Sequence, residues 1–83
     1  MKLCEGKTGR FYIVDTINQK QLGKEWAARL KSLGIVEGAE FLLLNKKKSG
    51  TAAIKIRGTR LAMGSRLAEY IEIRPLGGKT VKL

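Results

Sequence analysis

Arg29-Leu30-Lys31-Ser32-Leu33-Gly34-Ile35-Val36-Glu37-Gly38 reads as the end of a helix, a reversal of direction, a second tight turn and the approach to a strand. Leu30 and Leu33 lie one turn apart on one face, as an amphipathic helix requires. Gly34 stands where helices commonly stop, because a left-handed backbone costs glycine little and other residues more. With Gly34 as the first non-helical residue, Ile35 is expected to fold back onto Leu30, the apolar contact that accompanies such a cap. Gly38, ahead of the apolar run Phe41-Leu42-Leu43-Leu44, supplies the second turn. The expected shape is a helix packed onto a sheet through a sharp corner, and it carries no chemistry of its own.

Strand patterns flank this corner on both sides. Upstream, Gly6 and Gly9 bracket a turn before Arg10-Phe11-Tyr12-Ile13-Val14-Asp15-Thr16-Ile17, which is rich in aromatic and β-branched residues and reads as a strand. Residues 18–23 are polar and read as a loop or a loosely wound approach. The helix is placed over residues 24–33, with Trp26, Ala27, Leu30 and Leu33 turned inward, and Gly23 argues against an earlier start. Downstream, strands are expected over residues 39–45 and 51–57. In the latter, Ile54 and Ile56 alternate with Lys55 and Arg57, one face in and one face out. Lys46, Lys47 and Lys48 with Ser49 and Gly50 join the two as a hairpin. Arg57-Gly58-Thr59-Arg60 is a tight turn into the short apolar piece Leu61-Ala62-Met63. Gly64 and Ser65 break the strand, with Ser65 placed to cap a single helical turn through Ala68. A last strand over residues 69–74 puts Ile71 and Ile73 inward, and Pro75 is expected to end it because it cannot donate to the ladder.

The chain has 83 residues, enough for one domain and little more. About five short strands with one helix inserted after the first make a mainly β, strongly bent sheet. At this size a partly closed barrel of the SH3-like type is the economical arrangement, since closure removes exposed edges. The domain is placed at residues 1–75, with 76–83 as a flexible basic tail. No apolar run approaches the ~18 residues of a membrane span, and the start lacks the apolar stretch of a signal peptide. A single cysteine fits a reducing compartment. The cytoplasm is the expected location.

Catalytic groups are hard to find. With no histidine, the commonest general base and metal ligand are both missing. Cys4 stands alone, and the acids Glu5, Asp15, Glu25, Glu37, Glu40, Glu69 and Glu72 are scattered, with only Glu37 and Glu40 close in sequence. No glycine-rich phosphate loop follows a strand. No cofactor and no tight ferrous or zinc site is expected, and the chain reads as a binding module, not an enzyme. Its charge is lopsided, with 17 Lys and Arg against 7 Asp and Glu for a net +10, a surplus that attracts polyanions, whether nucleic acid, an anionic membrane surface or an acidic protein face. Lys46-Lys47-Lys48 is the one cluster. It reads either as a charged hairpin tip that keeps a sheet edge from aggregating or as a contact loop.

Set in register with its flanks, the opening segment resembles the central motif of the ferrous iron transport protein A family, Arg-Leu-x-x-Leu-Gly-Ile-x-x-Gly followed by an apolar strand. The likeness extends to Gly6 and Gly9 before the first strand, to Ile54-Lys55-Ile56-Arg57-Gly58-Thr59-Arg60-Leu61-Ala62-Met63, and to Arg66-Leu67-Ala68-Glu69-Tyr70-Ile71-Glu72-Ile73. It covers residues 1–75 in order, without a large gap. Two features depart from the family: Glu37 stands before Gly38 where proline is common, and the loop Asn45-Lys46-Lys47-Lys48-Ser49-Gly50 lacks the proline that relatives often carry. A contact made by that loop in relatives does not transfer.

The resemblance implies an accessory role in bacterial ferrous iron uptake, beside a large membrane iron permease whose cytoplasmic G-protein domain is the expected partner. Candidate contact residues are Arg29, Lys46, Lys47, Lys48, Arg57 and Arg60. An arginine lent to a neighbour's active site must sit exposed on a rigid turn, and Arg57 or Arg60 qualifies by position, although ordinary solvated charges would look the same. The alternative is a basic barrel that binds RNA or DNA through the same lysines and arginines with Lys55. Against it, Phe11, Tyr12, Phe41 and Trp26 lie in apolar patterns that look like core, whereas single-strand readers display such rings for stacking. A structural or self-associating role is the remaining reading.

Overall fold

A computed structural model describes residues 1–80. The helix before the corner, α2, spans Lys24–Ser32, and Leu33 closes it. Gly34 follows at φ +89°. Ile35 N–H donates to Leu30 O at 2.9 Å and Gly34 N–H to Lys31 O at 3.0 Å, the paired bonds of a Schellman cap. Leu30 and Ile35 are 2% and 1% exposed, so the apolar contact expected across this cap is fully sunk into the core.

Around it the chain runs through a 3-10 turn (Leu3–Glu5), β1 (Arg10–Ile17), α1 (Gln19–Leu22), then α2, β2 (Glu40–Lys46), β3 (Ala52–Ile56), β4 (Thr59–Met63), α3 (Ser65–Glu69) and β5 (Ile71–Thr80). The strands form one antiparallel sheet in the order β4-β3-β2-β1-β5, so β1 lies between β2 and β5. The barrel remains partly open, with β4 and β5 at its edges. Alternate residues point inward as a half-buried sheet demands: Tyr12 and Val14, Phe41 and Leu43, Ala52, Ile54 and Ile56, and Ile71 and Ile73. Tyr12 faces Phe41 across the β1–β2 ladder with ring centroids 6.0 Å apart, and its hydroxyl accepts from Lys7 N–H at 2.7 Å.

Several expectations need correction. Of the two readings of the polar stretch after β1, the wound one holds and the loop does not: residues Gln19–Leu22 form a short helix whose first turn is capped by Asn18 Oδ1, accepting from Gln21 N–H at 3.2 Å. Trp26 and Leu33 do not face the core; they are 44% and 39% exposed. Ser65 is the first residue of α3 and not its cap, a place taken by Gly64 without a side-chain bond. The last strand starts at Ile71 and passes through Pro75 to Thr80. Proline is tolerated there because β5 is an edge strand and a register shift falls beside it, between Arg10 and Tyr12. Residues 76–80 of the expected flexible tail are therefore backbone of β5, and residues 81–83 lie outside the described residues.

Gly34 has a second reason to be glycine. A Cβ built on it would lie 2.6 Å from Arg57 Cδ and 3.4 Å from Arg57 Nη1. Gly34→Ala is expected to lower stability by about 1–2 kcal/mol, mainly the cost of a left-handed alanine. Arg57→Asn in that background is expected to recover only a minor share, because the crowded atom belongs to a flexible side chain. Urea denaturation of both variants checks this. Full recovery by Arg57→Asn would show that crowding, and not backbone conformation, sets the penalty.

Candidate functional site

The basic hairpin grows from the β2–β3 ladder, where Lys46 pairs with Ala52 and Lys47 N–H donates to Thr51 O at 2.8 Å. Lys46 is occupied: its Nζ donates to Gly6 O at 2.8 Å, tying the strand end to the segment before β1. Lys47 and Lys48 are exposed at the tip. Gly50, at the base of the tip, closely approaches the first residue of α3, for a Cβ there would meet Ser65 Cβ at 2.8 Å. The lysine cluster thus divides into one residue that holds the hairpin down and two that face solvent.

Arg57 and Arg60 occupy the other end of β3. Ile56 pairs with Thr59, leaving Arg57-Gly58 as a two-residue turn with φ of +51° and +78°. Positive φ at both central residues is what a type I′ hairpin requires, and it matches the twist of the strands. The turn lays Arg57 across Gly34, so its guanidinium sits beside the C-terminal end of α2, where the helix macrodipole favours a cation. Arg60 stands opposite Lys55, and both are exposed. Two like charges directly opposed across a ladder repel and weaken it slightly.

Arg29 is exposed on α2, with its guanidinium carbon 5.4 Å from the centroid of the Trp26 ring, within cation–π range. The six candidate residues are therefore spread over three places: the β2–β3 hairpin, the β3–β4 turn with its following strand, and the outer side of α2. None of them is in an ion pair among the described residues, where the pairs are Met1 with Glu72 and Asp15 with Arg74. Trp26 is not among these candidates, because an apolar residue at helical spacing reads as core. Helix geometry held the signal: at about 100° per residue, Trp26 and Leu33 lie within ~20° of one another and some 40–60° around from Leu30. A nine-residue helix held down through Leu30 and the half-buried Ala27 leaves that edge uncovered.

A family model for the FeoA domain matches residues 1–75. The chain belongs to the FeoA family. It is 30% identical to a FeoA protein of Chlorobium tepidum whose solution structure aligns with a TM-score of 0.81, covering 95% of this chain and 73% of that one. A crystal structure of a FeoA protein described as an iron uptake regulatory protein is 29% identical, with a TM-score of 0.78 and coverage of 92% and 96%. The zinc-complexed FeoA of Stenotrophomonas maltophilia, described as a prokaryotic SH3 domain protein, is 24% identical with a TM-score of 0.72 and covers 89% of each chain. At that identity the likeness concerns the fold. No curated protein sequence matches the chain.

In this FeoA-family chain the potential metal ligands stay dispersed. No group of three or more His, Cys, Asp or Glu is gathered among the described residues, and Cys4 is a half-buried free thiol within the first 3-10 turn. Anaerobic calorimetry with ferrous or zinc ions is expected to show no stoichiometric tight binding; a one-to-one isotherm would contradict the reading. The hairpin makes a sharper forecast. Lys46→Met removes the bond to Gly6 O and is expected to cost roughly 0.5–1.5 kcal/mol. Lys47→Ala and Lys48→Ala are expected to stay within about 0.5 kcal/mol of the parent. Equal effects in thermal unfolding would refute the division of roles.

Proposed function

We propose that this FeoA-family chain is a cytoplasmic accessory protein of ferrous iron transport that binds the intracellular G-protein part of a membrane ferrous iron permease. The family match over residues 1–75 carries this reading. Two structural neighbours point the same way by what they are called: an iron(II) transport protein A of Clostridium thermocellum, and the Stenotrophomonas maltophilia FeoA, described as a candidate ferrous iron transport activating factor. No helix among the described residues is long and apolar enough to cross a membrane.

The chemistry of the surface supports an acidic face on the partner. Arg29, Lys47, Lys48, Arg57 and Arg60 are exposed and outside ion pairs among the described residues. The Lys55–Arg60 pair is the most telling, since it is kept at a small cost to the sheet and an apposed carboxylate would relieve the repulsion. For binding of single-stranded nucleic acid the supply of stacking rings is small: Tyr12 and Phe41 are each only 2% exposed and Phe11 is half-buried, while Trp26, which the sequence pattern placed in the core, is the one ring of these four that faces solvent.

Arg60→Glu separates the two demands on that pair. It converts a repulsive pair into an attractive one with Lys55, and stability is expected to rise by a few tenths of a kcal/mol. Affinity for the purified G domain of the permease, measured at physiological salt, is expected to fall about tenfold. Random-sequence oligonucleotides run in parallel are expected to bind only weakly. Tight oligonucleotide binding with no response to the G domain would reverse the assignment.

A further inference from the structure

Trp26 opens onto a cleft where the helical insert meets α3. Gln21, Leu22, Trp26, Arg66, Leu67 and Tyr70 line it, and its volume of about 310 Å³ puts it at the small end of ligand sites, the size of an anchor and not of a whole molecule. Leu22, Leu67, Trp26 and Tyr70 give it a mainly apolar and aromatic lining, Gln21 adds a neutral amide, and Arg66 is the single charged side chain among them. Trp26 is 44% exposed at the rim, with Arg29 over its ring. An exposed tryptophan beside arginines, over a small apolar cleft, has the composition that protein–protein hot spots favour.

The surroundings say what would sit there. The insert carries Lys20, Lys24, Arg29 and Lys31 against Glu25. On the far side the base of the basic hairpin reaches α3 through the approach of Gly50 to Ser65, the residue before Arg66. Neither Arg29 nor Arg66 is in an ion pair among the described residues. We infer that this cleft receives an apolar side chain from an acidic segment of a protein partner, with Trp26 as the anchoring contact and Arg29 and Arg66 pairing with the segment's carboxylates. A second copy of this chain is a poor occupant, because its net charge of +10 repels its like. The inference rests on the partner-binding reading above and adds the place of contact.

Because the chain contains a single tryptophan, incorporating fluorotryptophan gives a fluorine NMR signal from this cleft alone, even beside a partner with tryptophans of its own. The labelled full chain is titrated with the permease G domain and with two synthetic peptides, one alternating Asp and Glu with Leu and Phe, the other with Lys in place of each acid. The G domain and the acidic peptide are expected to shift the Trp26 signal and shield it from solvent, and the basic peptide is expected not to. Trp26→Ala is expected to weaken G-domain binding roughly 30-fold, and Arg66→Glu about tenfold, with circular dichroism unchanged. G-domain binding that leaves the Trp26 signal unmoved, with Trp26→Ala within about twofold of the parent, would overturn the cleft and leave the permease reading standing. A response to the acidic peptide without G-domain binding would sustain the cleft and overturn the permease as partner. Equal response to both peptides, or a shift of the protein alone with rising concentration, would overturn the acidic-segment assignment.

Discussion

Two reversals of the chain meet at one point, and the rest of the molecule is arranged about that meeting. Gly34 turns α2 back on itself at φ +89°, and the Arg57-Gly58 turn folds β4 back on β3. Arg57 then lies over the bare backbone of Gly34, closer than any side chain on that residue would allow. The C-terminal end of the helical insert is thereby covered by a side chain from a hairpin far along the chain. Beyond the corner, Gly38 N–H donates to Val14 O at 2.8 Å and Val14 N–H to Ala39 O at 2.9 Å, so the segment is stitched to β1 before it enters β2. Arg57 itself is locally strained, at φ +51°, in the turn that lays its side chain over Gly34.

Features governed by neighbouring residues were legible in the sequence. The Gly34 cap, the span of β1 and the alternation of Ile54 and Ile56 with Lys55 each follow from spacing and local backbone preference, and each appears as read. The errors share a different origin, since each depends on something distant. Whether Pro75 ends a strand depends on whether that strand lies at a sheet edge. Whether Trp26 and Leu33 are core depends on how much of α2 the sheet can cover, and here it covers little beyond Leu30 and Ala27. The bond from Lys46 to Gly6 O spans forty positions and leaves no trace in a run of three lysines.

The same distinction separates the fold from the contact surface. A buried position answers to many neighbours at once, so its residue type carries information. An exposed arginine answers to solvent and to a partner, and sequence pattern does not tell the two apart. The Lys55–Arg60 register is an exception, since a like-charge pair facing across a ladder works slightly against the fold, and it becomes visible only once the pairing is known. Cross-strand register is thus where structure adds most to the functional reading of a small basic domain.

Charge alone would make a poor recognition device on this scaffold. The β2–β3 hairpin and the Arg57-Gly58 turn lie at opposite ends of β3, whose five residues span about 17 Å. That is roughly twice the distance over which exposed charges feel one another at physiological salt, about 8 Å. Each basic cluster therefore attracts an acidic surface independently, which raises the rate of encounter without setting the orientation of the complex. Orientation needs a contact that is short-ranged and shaped. On this surface an exposed aromatic side chain over a small apolar cleft, rimmed by arginines, meets that need, and Trp26 is where the helical insert leaves one uncovered.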